Sequence, residues 1–251
     1  MTLVHAVYFD EEEFSMAPVQ LDRRIELGKT MCLLAKEEFS RKLGVEAEYV
    51  VCNGEAPDVL TEIAREKGAD LIALGTYGRR GLKRLLLGSV TSSVVVNSPC
   101  EVLVVRNNGK CSGYESILVP FDGSDFSKRA LEKALALSKE NKSEVTLLYV
   151  IPRYEEMIEF MKTEHIEEKL FAEARRITAE GEKTAQAQGT GIATVIEQGN
   201  PERAITGIAE KLGADLIVMG TYGWKGVDKA IMGSTTERVI MSAPCPVLIV
   251  R

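Results

Sequence analysis

The chain has 251 residues, 45% of them hydrophobic, enough for one large core or for two cores of the common domain size of about 100–150 residues. A formal net charge of −6 argues against a general nucleic-acid binder, which needs a basic face to neutralise phosphates, so small molecules or proteins are the expected partners. No run of about 18 uninterrupted apolar residues occurs, and MTLVHAVYFDEEEF turns acidic early, so neither a membrane span nor a signal peptide is expected, and the expected location is cytoplasmic. Five cysteines (Cys32, Cys52, Cys100, Cys111, Cys245) show no CxxC spacing. Their odd number fits reduced thiols packed as small hydrophobes better than a disulfide frame or a zinc site.

Read in chain order, the sequence soon repeats itself. KGADLIALGTYGRRGLKRLLLGSVTSSVVVNSPCEVLVVR, ending at Arg106, matches LGADLIVMGTYGWKGVDKAIMGSTTERVIMSAPCPVLIVR, ending at Arg251, without a gap and at an offset of 145. The match continues more weakly upstream. CNGEAPDVLTEIA from Cys52 aligns with EQGNPERAITGIA from Glu197, and MTLVHAV with VTLLYVI from Val145. One unit has been duplicated, giving copies at 1–106 and 114–251 joined by a polar, glycine-containing linker at 107–113.

The second copy reads as alternating elements. Ser116 to Phe121 is a predicted strand, Ser127 to Lys139 a helix, Val145 to Ile151 a strand and Glu155 to Ala187 a long helical stretch. In that stretch Ile158, Met161, Ile166, Leu170, Ala174 and Ile177 form the stripe expected to pack on a sheet. Strand Ala193 to Ile196, helix Pro201 to Lys211, strand Asp215 to Met219, a glycine loop, a helix from Thr235 and strand Val247 to Val250 follow. Five strands alternating with four helices predict an α/β fold with a doubly wound parallel sheet. Runs such as LIVMG, apolar at every position, suit strands covered on both faces.

The first copy has no counterpart of SILVPFDGSDFSKRALEKALALSK, so its first strand and helix are missing. If that strand is central, its loss leaves two neighbours with unpaired backbone. Either the sequence is truncated at its start, or the flanking strands pair directly, or a segment of another chain fills the gap.

The glycine loops are spaced Gly75-x2-Gly78-x9-Gly88-Ser89 and Gly220-x2-Gly223-x9-Gly233-Ser234. Each follows a buried strand and ends at a helix start, in the crevice where parallel sheets bind ligands. Glycine allows positive φ and lets backbone N–H groups approach phosphate oxygens, and the helix dipole favours the anion by about 0.3–1 kcal/mol at an exposed site. Alternatively, the spacing reflects loop geometry alone, with Ser234 as N-cap and Glu237 reaching back in a capping box. GxxxxGK[ST] and GxGxxG are both absent, which sets aside the P-loop NTPase and dinucleotide-binding readings. Asp122, in VPFDGSDFS, ends the second copy's first strand and faces the same crevice, where it can accept from an adenine amine or ribose hydroxyls. The competing role for Asp122 or Asp125 is to cap the following helix. The histidines, His5 and His165, fall outside both loops, and His5 aligns with Tyr149 as a packing position.

On the two G-x2-G-x9-G-S loops, the VPFDGS start and the endings SPCEVLVVR and APCPVLIVR, the sequence resembles the universal stress protein family, in its tandem and ATP-binding form. The resemblance implies strand order 3-2-1-4-5 in each of two domains, the first lacking its first strand and helix, and an intrachain pseudo-dimer through the last strands, with a homodimer as a further option. It implies ATP or AMP as ligand, with Mg²⁺ or Mn²⁺ carried on the phosphates rather than by a protein metal site. Carried onto this sequence, Pro120, Asp122 and Val150 would meet adenine and ribose. Met219, Gly220 and Gly223 would line ribose and α-phosphate, and Gly233, Ser234 and Thr235 the outer phosphates. In the first copy only Gly75, Gly78, Gly88 and Ser89, with Ala6 at the Val150 position, transfer, so a weaker or empty site is implied. Arg79, Arg80, Lys83 and Arg84 there either attract phosphate or form a solvated basic turn. The expected function is that of a nucleotide-binding stress-response regulator or sensor. Slow ATP hydrolysis or autophosphorylation at Ser234 or Thr235, and a ligand-free pairing scaffold, are the alternatives.

Overall fold

Apolar and β-branched runs become strands and the amphipathic stretches between them become helices. The computed structural model describes residues 1–8, 18–76, 87–106, 114–152, 164–222 and 232–251. The first copy contributes β1 (Thr2–Val7), α1 (Pro18–Leu43), β2 (Glu48–Asn53), α2 (Ala56–Glu66), β3 (Leu71–Gly75), α3 (Ser89–Asn97) and β4 (Glu101–Val105). The second contributes β5 (Ser116–Pro120), α4 (Asp125–Asn141), β6 (Glu144–Pro152), α5 (Glu164–Ala187), β7 (Ala193–Gly199), α6 (Pro201–Leu212), β8 (Leu216–Gly220), α7 (Ser234–Ser242) and β9 (Val247–Val250). Of the α5 stripe, Ala174 and Ile177 are buried and Ile166 and Leu170 half-buried; Ile158 and Met161 lie outside the described residues.

Contacts divide the chain into two units, Met1–Ala69 and Asp70–Arg251. In the first unit β1 and β2 pair in parallel, from Thr2 opposite Glu48 to Val7 opposite Asn53. Helix α1 packs on both strands, with Val7 and Leu21 buried against Ile25 and Val51. A Cβ at Gly28 would lie 2.6 Å from His5 Cδ2, so the imidazole occupies a packing position against the helix.

The second unit is built on a seven-stranded sheet in the order β3-β4-β9-β8-β5-β6-β7, in which β4 and β9 are antiparallel and every other pair is parallel. Read from β7 to β9 it is the expected 3-2-1-4-5 arrangement. Strand β5 is buried at Ile117, Leu118 and Val119, and Asp215 accepts from the Glu115 and Ser116 amides at 3.0 Å each, fixing its start beside β8. Leu131 and Leu135 of α4 and Ile177 of α5 close the core over Ile117, Val119, Leu147, Leu216 and Val218.

Duplication extends to strand register. Thr2 opposite Glu48 repeats as Thr146 opposite Ala193, and Ile72 opposite Val102 as Ile217 opposite Val247. The two copies meet at β4 and β9, where Leu103 faces its own equivalent, Leu248. Around that centre Arg106 donates to the Ala243 carbonyl at 3.2 Å, while its equivalent Arg251 donates to the Val96 carbonyl at 2.9 Å. Each guanidinium thus meets the C-terminal end of a helix, where the dipole favours a cation.

Strands β1 and β2 form a two-stranded sheet of their own, and β3 is an edge strand of the seven-stranded one. The effect of the missing segment on β3 is visible by comparison with β8, its equivalent. Leu71, Ala73 and Gly75 are exposed, whereas Leu216, Val218 and Gly220 are buried, because α4 covers β8 and no described helix is its counterpart over β3. Leu71 is 45% exposed and Leu216 1%. Leu216→Ala should therefore cost about 2–5 kcal/mol in denaturant unfolding and Leu71→Ala less than about 1 kcal/mol. Equal losses at the two positions would contradict this account of the uncovered face.

Candidate functional site

In the second copy the chain turns from one side of the sheet to the other between β5 and β8, which are hydrogen-bonded neighbours. Such a switch point opens a crevice at the carboxyl ends of the strands. Ile117, Val119, Leu147, Leu216 and Val218 point toward α4 and α5, so the two-residue period puts Pro120, Val150 and Met219 on the opposite face. These three lie at the carboxyl edges of adjacent strands. Pro120 stands opposite Leu148, Val150 opposite Glu197 and Met219 opposite Ile249; Met219 is buried and the other two half-buried.

The loop after β5 is tightly constrained. Phe121 is buried and its amide donates to the Leu148 carbonyl at 2.8 Å. Asp122 Oδ1 accepts from the Ser124 amide at 3.0 Å and from its hydroxyl at 2.6 Å. Gly123 adopts φ +81°, and a Cβ there would meet Ile177 at 3.1 Å, so this turn requires glycine. The cap of α4 is Ser124, whose Oγ accepts from the Ser127 amide at 3.3 Å; Asp125 is already helical. Neither aspartate is the cap: Asp122 instead holds the residue that is. Burial pushes the Tyr149 phenol above its ordinary value, with the Glu173 and Asp122 carboxylates adding to the rise and Arg176 opposing it. The phenol therefore stays a neutral donor, and the field of Asp122 reaches β6.

The glycine loop is closed at its mouth. The Gly233 amide donates to the Thr221 carbonyl at 3.2 Å, and the Thr221 amide and hydroxyl donate to the Val250 carbonyl at 3.3 and 3.2 Å. Thr236 Oγ1 donates to the Gly220 carbonyl at 3.1 Å. The first copy repeats this arrangement: Gly88 amide to Thr76 carbonyl at 3.3 Å, Thr76 amide to Val105 carbonyl at 3.2 Å, and Thr91 hydroxyl to Gly75 carbonyl at 2.9 Å. Sequence reasoning missed these threonines. The signal was present, since Thr76 with Thr221 and Thr91 with Thr236 are identical at the repeat offset.

The capping box expected on Ser234 does not form. Gly233 is the N-cap, with φ −60° and ψ 135°, and its carbonyl takes the first helical bond from the Glu237 amide at 3.0 Å. Ser234 is thereby displaced into the first turn, and among the described residues no side chain caps α7. The amides of Ser234 and Thr235, which have no helical acceptor by geometry, are left available to a ligand. Ser234 is exposed and Thr235 half-buried; in the first copy Gly88 caps α3 in the same way and Ser89 is exposed. Gly78, Gly223 and the basic residues Arg79, Arg80, Lys83 and Arg84 lie outside the described residues.

Gly220 has a reason beyond any ligand. A Cβ there would lie 2.6 Å from Phe126 Cβ and 3.0 Å from its carbonyl carbon, so α4 can approach β8 only over a glycine. At Gly233 the nearest atom, the Thr221 carbonyl oxygen, would be 3.3 Å away. Gly220→Ala should destabilise the ligand-free protein by about 1–3 kcal/mol, and Gly233→Ala by clearly less. Thermal or denaturant unfolding of the two variants checks the order, which would be reversed if Gly220 were kept for ligand contact alone.

The sequence profile of the universal stress protein family matches residues 2–106 and again residues 113–251. A universal stress protein of Methanocaldococcus jannaschii is 37% identical over 154 residues, covering 59% of this chain and 87% of its own. One of Mycobacterium bovis is 28% identical over 267 positions, spanning 100% of this chain and 87% of the relative. Among solved structures, a universal stress protein from Archaeoglobus fulgidus has a TM-score of 0.72 at 22% identity, over 100% of this chain and 86% of that one, a likeness of fold. With both copies matched, the chain belongs to the universal stress protein family.

Proposed function

We propose that the second copy binds an adenine nucleotide, ATP or AMP, at the carboxyl edge of β8, β5 and β6, and that occupancy makes the protein a stress-response regulator or sensor. The observation that supports this reading most is the uncapped first turn of α7, at the closed mouth of a glycine loop and next to the switch point. Free helical amides aligned with the dipole favour a phosphate. Pro120 and Val150 offer apolar surface to a base, beside the buried Met219, and Asp122 an acceptor for the amine or ribose hydroxyls. Mg²⁺ or Mn²⁺ would arrive on the phosphates.

The scaffold reading has one specific observation in its favour: Gly220 and the threonine bonds account for part of the loop pattern through packing. They do not account for the first turn of α7, where no side chain of the described residues acts as a cap. The two readings separate on Asp122→Ala, which should weaken ATP binding by about 1–3 kcal/mol if a hydrogen-bonded carboxylate is lost. Asp122 also holds Ser124, so Ser124→Ala is the control: it should lower helix stability by about 0.5–2 kcal/mol with affinity kept. Calorimetric titration of both variants tests the assignment; no ATP binding by the parent protein would favour the scaffold.

A further inference from the structure

Tyr222 lies two residues beyond β8 and is 7% exposed, yet its hydroxyl is buried with no hydrogen-bond partner among the described residues. Buried polar groups are nearly always satisfied, so such an oxygen calls for an explanation. Packing alone does not supply one. The Tyr222 ring stands 5.4 Å from the Phe126 ring, tilted by 59°, and a phenylalanine at 222 would make the same aromatic contact with no unpaired oxygen. The sequence nevertheless has tyrosine at this place in both loops, as Tyr77 and Tyr222.

The position of the residue indicates what the hydroxyl serves. A Cβ at Gly233 would lie 3.6 Å from the Tyr222 Cα, so the backbone of Tyr222 abuts the cap of α7. Its ring meets the first turn of α4, just after the Asp122–Ser124 turn. Tyr222 therefore bridges the two loops of the candidate site. The groups offered beside it by the first turn of α7 are amide donors, and the phenol, which can donate as well as accept, can add its O–H to them. An oxygen that accepts from helix amides and a hydroxyl together suits an anionic group such as phosphate. The oxygen is closed off in the ligand-free chain, so a ligand would reach it as the surroundings adjust.

We propose that Tyr222 is a binding residue whose hydroxyl donates to a phosphate oxygen of the ligand held at the N-terminus of α7. The proposal rests on the nucleotide reading above and adds a phosphate-specific contact to it. The test compares the full-length protein with Tyr222→Phe, using ATP, AMP and adenosine in calorimetric titrations and unfolding of the ligand-free proteins. The variant should be as stable as the parent or more so, and should bind ATP and AMP about tenfold more weakly, the effect of one hydrogen bond to a charged group. Adenosine, which lacks phosphate, should bind both proteins alike. Unchanged ATP affinity, or equal losses for ATP and adenosine, would overturn the role of Tyr222 and leave the nucleotide site standing. A parent protein that binds none of the three would overturn the nucleotide reading and this proposal with it.

Discussion

The antiparallel pairing of β4 with β9 is the interaction on which the rest of the second unit depends. It joins the last strand of each copy about a centre where Leu103 meets Leu248, so the contact is self-complementary in the manner of a twofold dimer interface. Arg106 and Arg251 each donate to a carbonyl at a helix end on either side, and Lys133 of α4 adds an ion pair to Glu101 of β4 at 2.8 Å. The ladder also bears on the candidate site. Val250, at the end of β9, accepts both bonds from Thr221, and the Thr221 carbonyl closes the loop onto Gly233. Strand pairing, loop anchorage and the free first turn of α7 are consecutive links in one chain of contacts.

Against that common frame the copies differ by one strand and one helix. In the second copy β5 is buried among its neighbours, and the turn after it delivers Asp122 and the Phe126 that packs over Gly220. In the first copy the equivalent glycine, Gly75, is exposed at the end of an uncovered strand, although Thr91 and Thr76 anchor that loop as their equivalents do. Both loops keep their internal bonds because those bonds run to the last strand and to the following helix, which both copies possess. What opposes the loop from across the crevice comes from β5 and α4. The proposed function assigns the ligand to the second copy for that reason.

Much of this was legible in the sequence. Apolar runs such as LIVMG located the strands, the repeat located the copies, and the strand that the alignment found missing is the one whose equivalent stands at the centre of the second copy's sheet. Other features depend on tertiary geometry that local patterns do not encode. Ser234 followed by Glu237 satisfies the pattern of a capping box, but the extended backbone of Gly233 places the cap one residue earlier. Glycine at 220 reads as a ligand position until the distance to Phe126 is known, a contact between residues far apart in sequence. The threonine bonds and the arginine contacts were visible only as repeated letters, because a side chain that bonds to a distant carbonyl leaves no periodic signal. Tyr222 too was visible only as a repeated letter, with Tyr77 at the same place in the first loop.

The central claim is the proposal that duplicated loops serve a single nucleotide site, because among the described residues the second copy sets an acid and a covering helix against its loop. The most direct measurement is the stoichiometry of ATP binding to the whole chain, by calorimetric titration or equilibrium dialysis at protein concentrations well above the dissociation constant. The account predicts one nucleotide per chain at saturation of the tight phase. Two equivalent nucleotides per chain, or none, would contradict it.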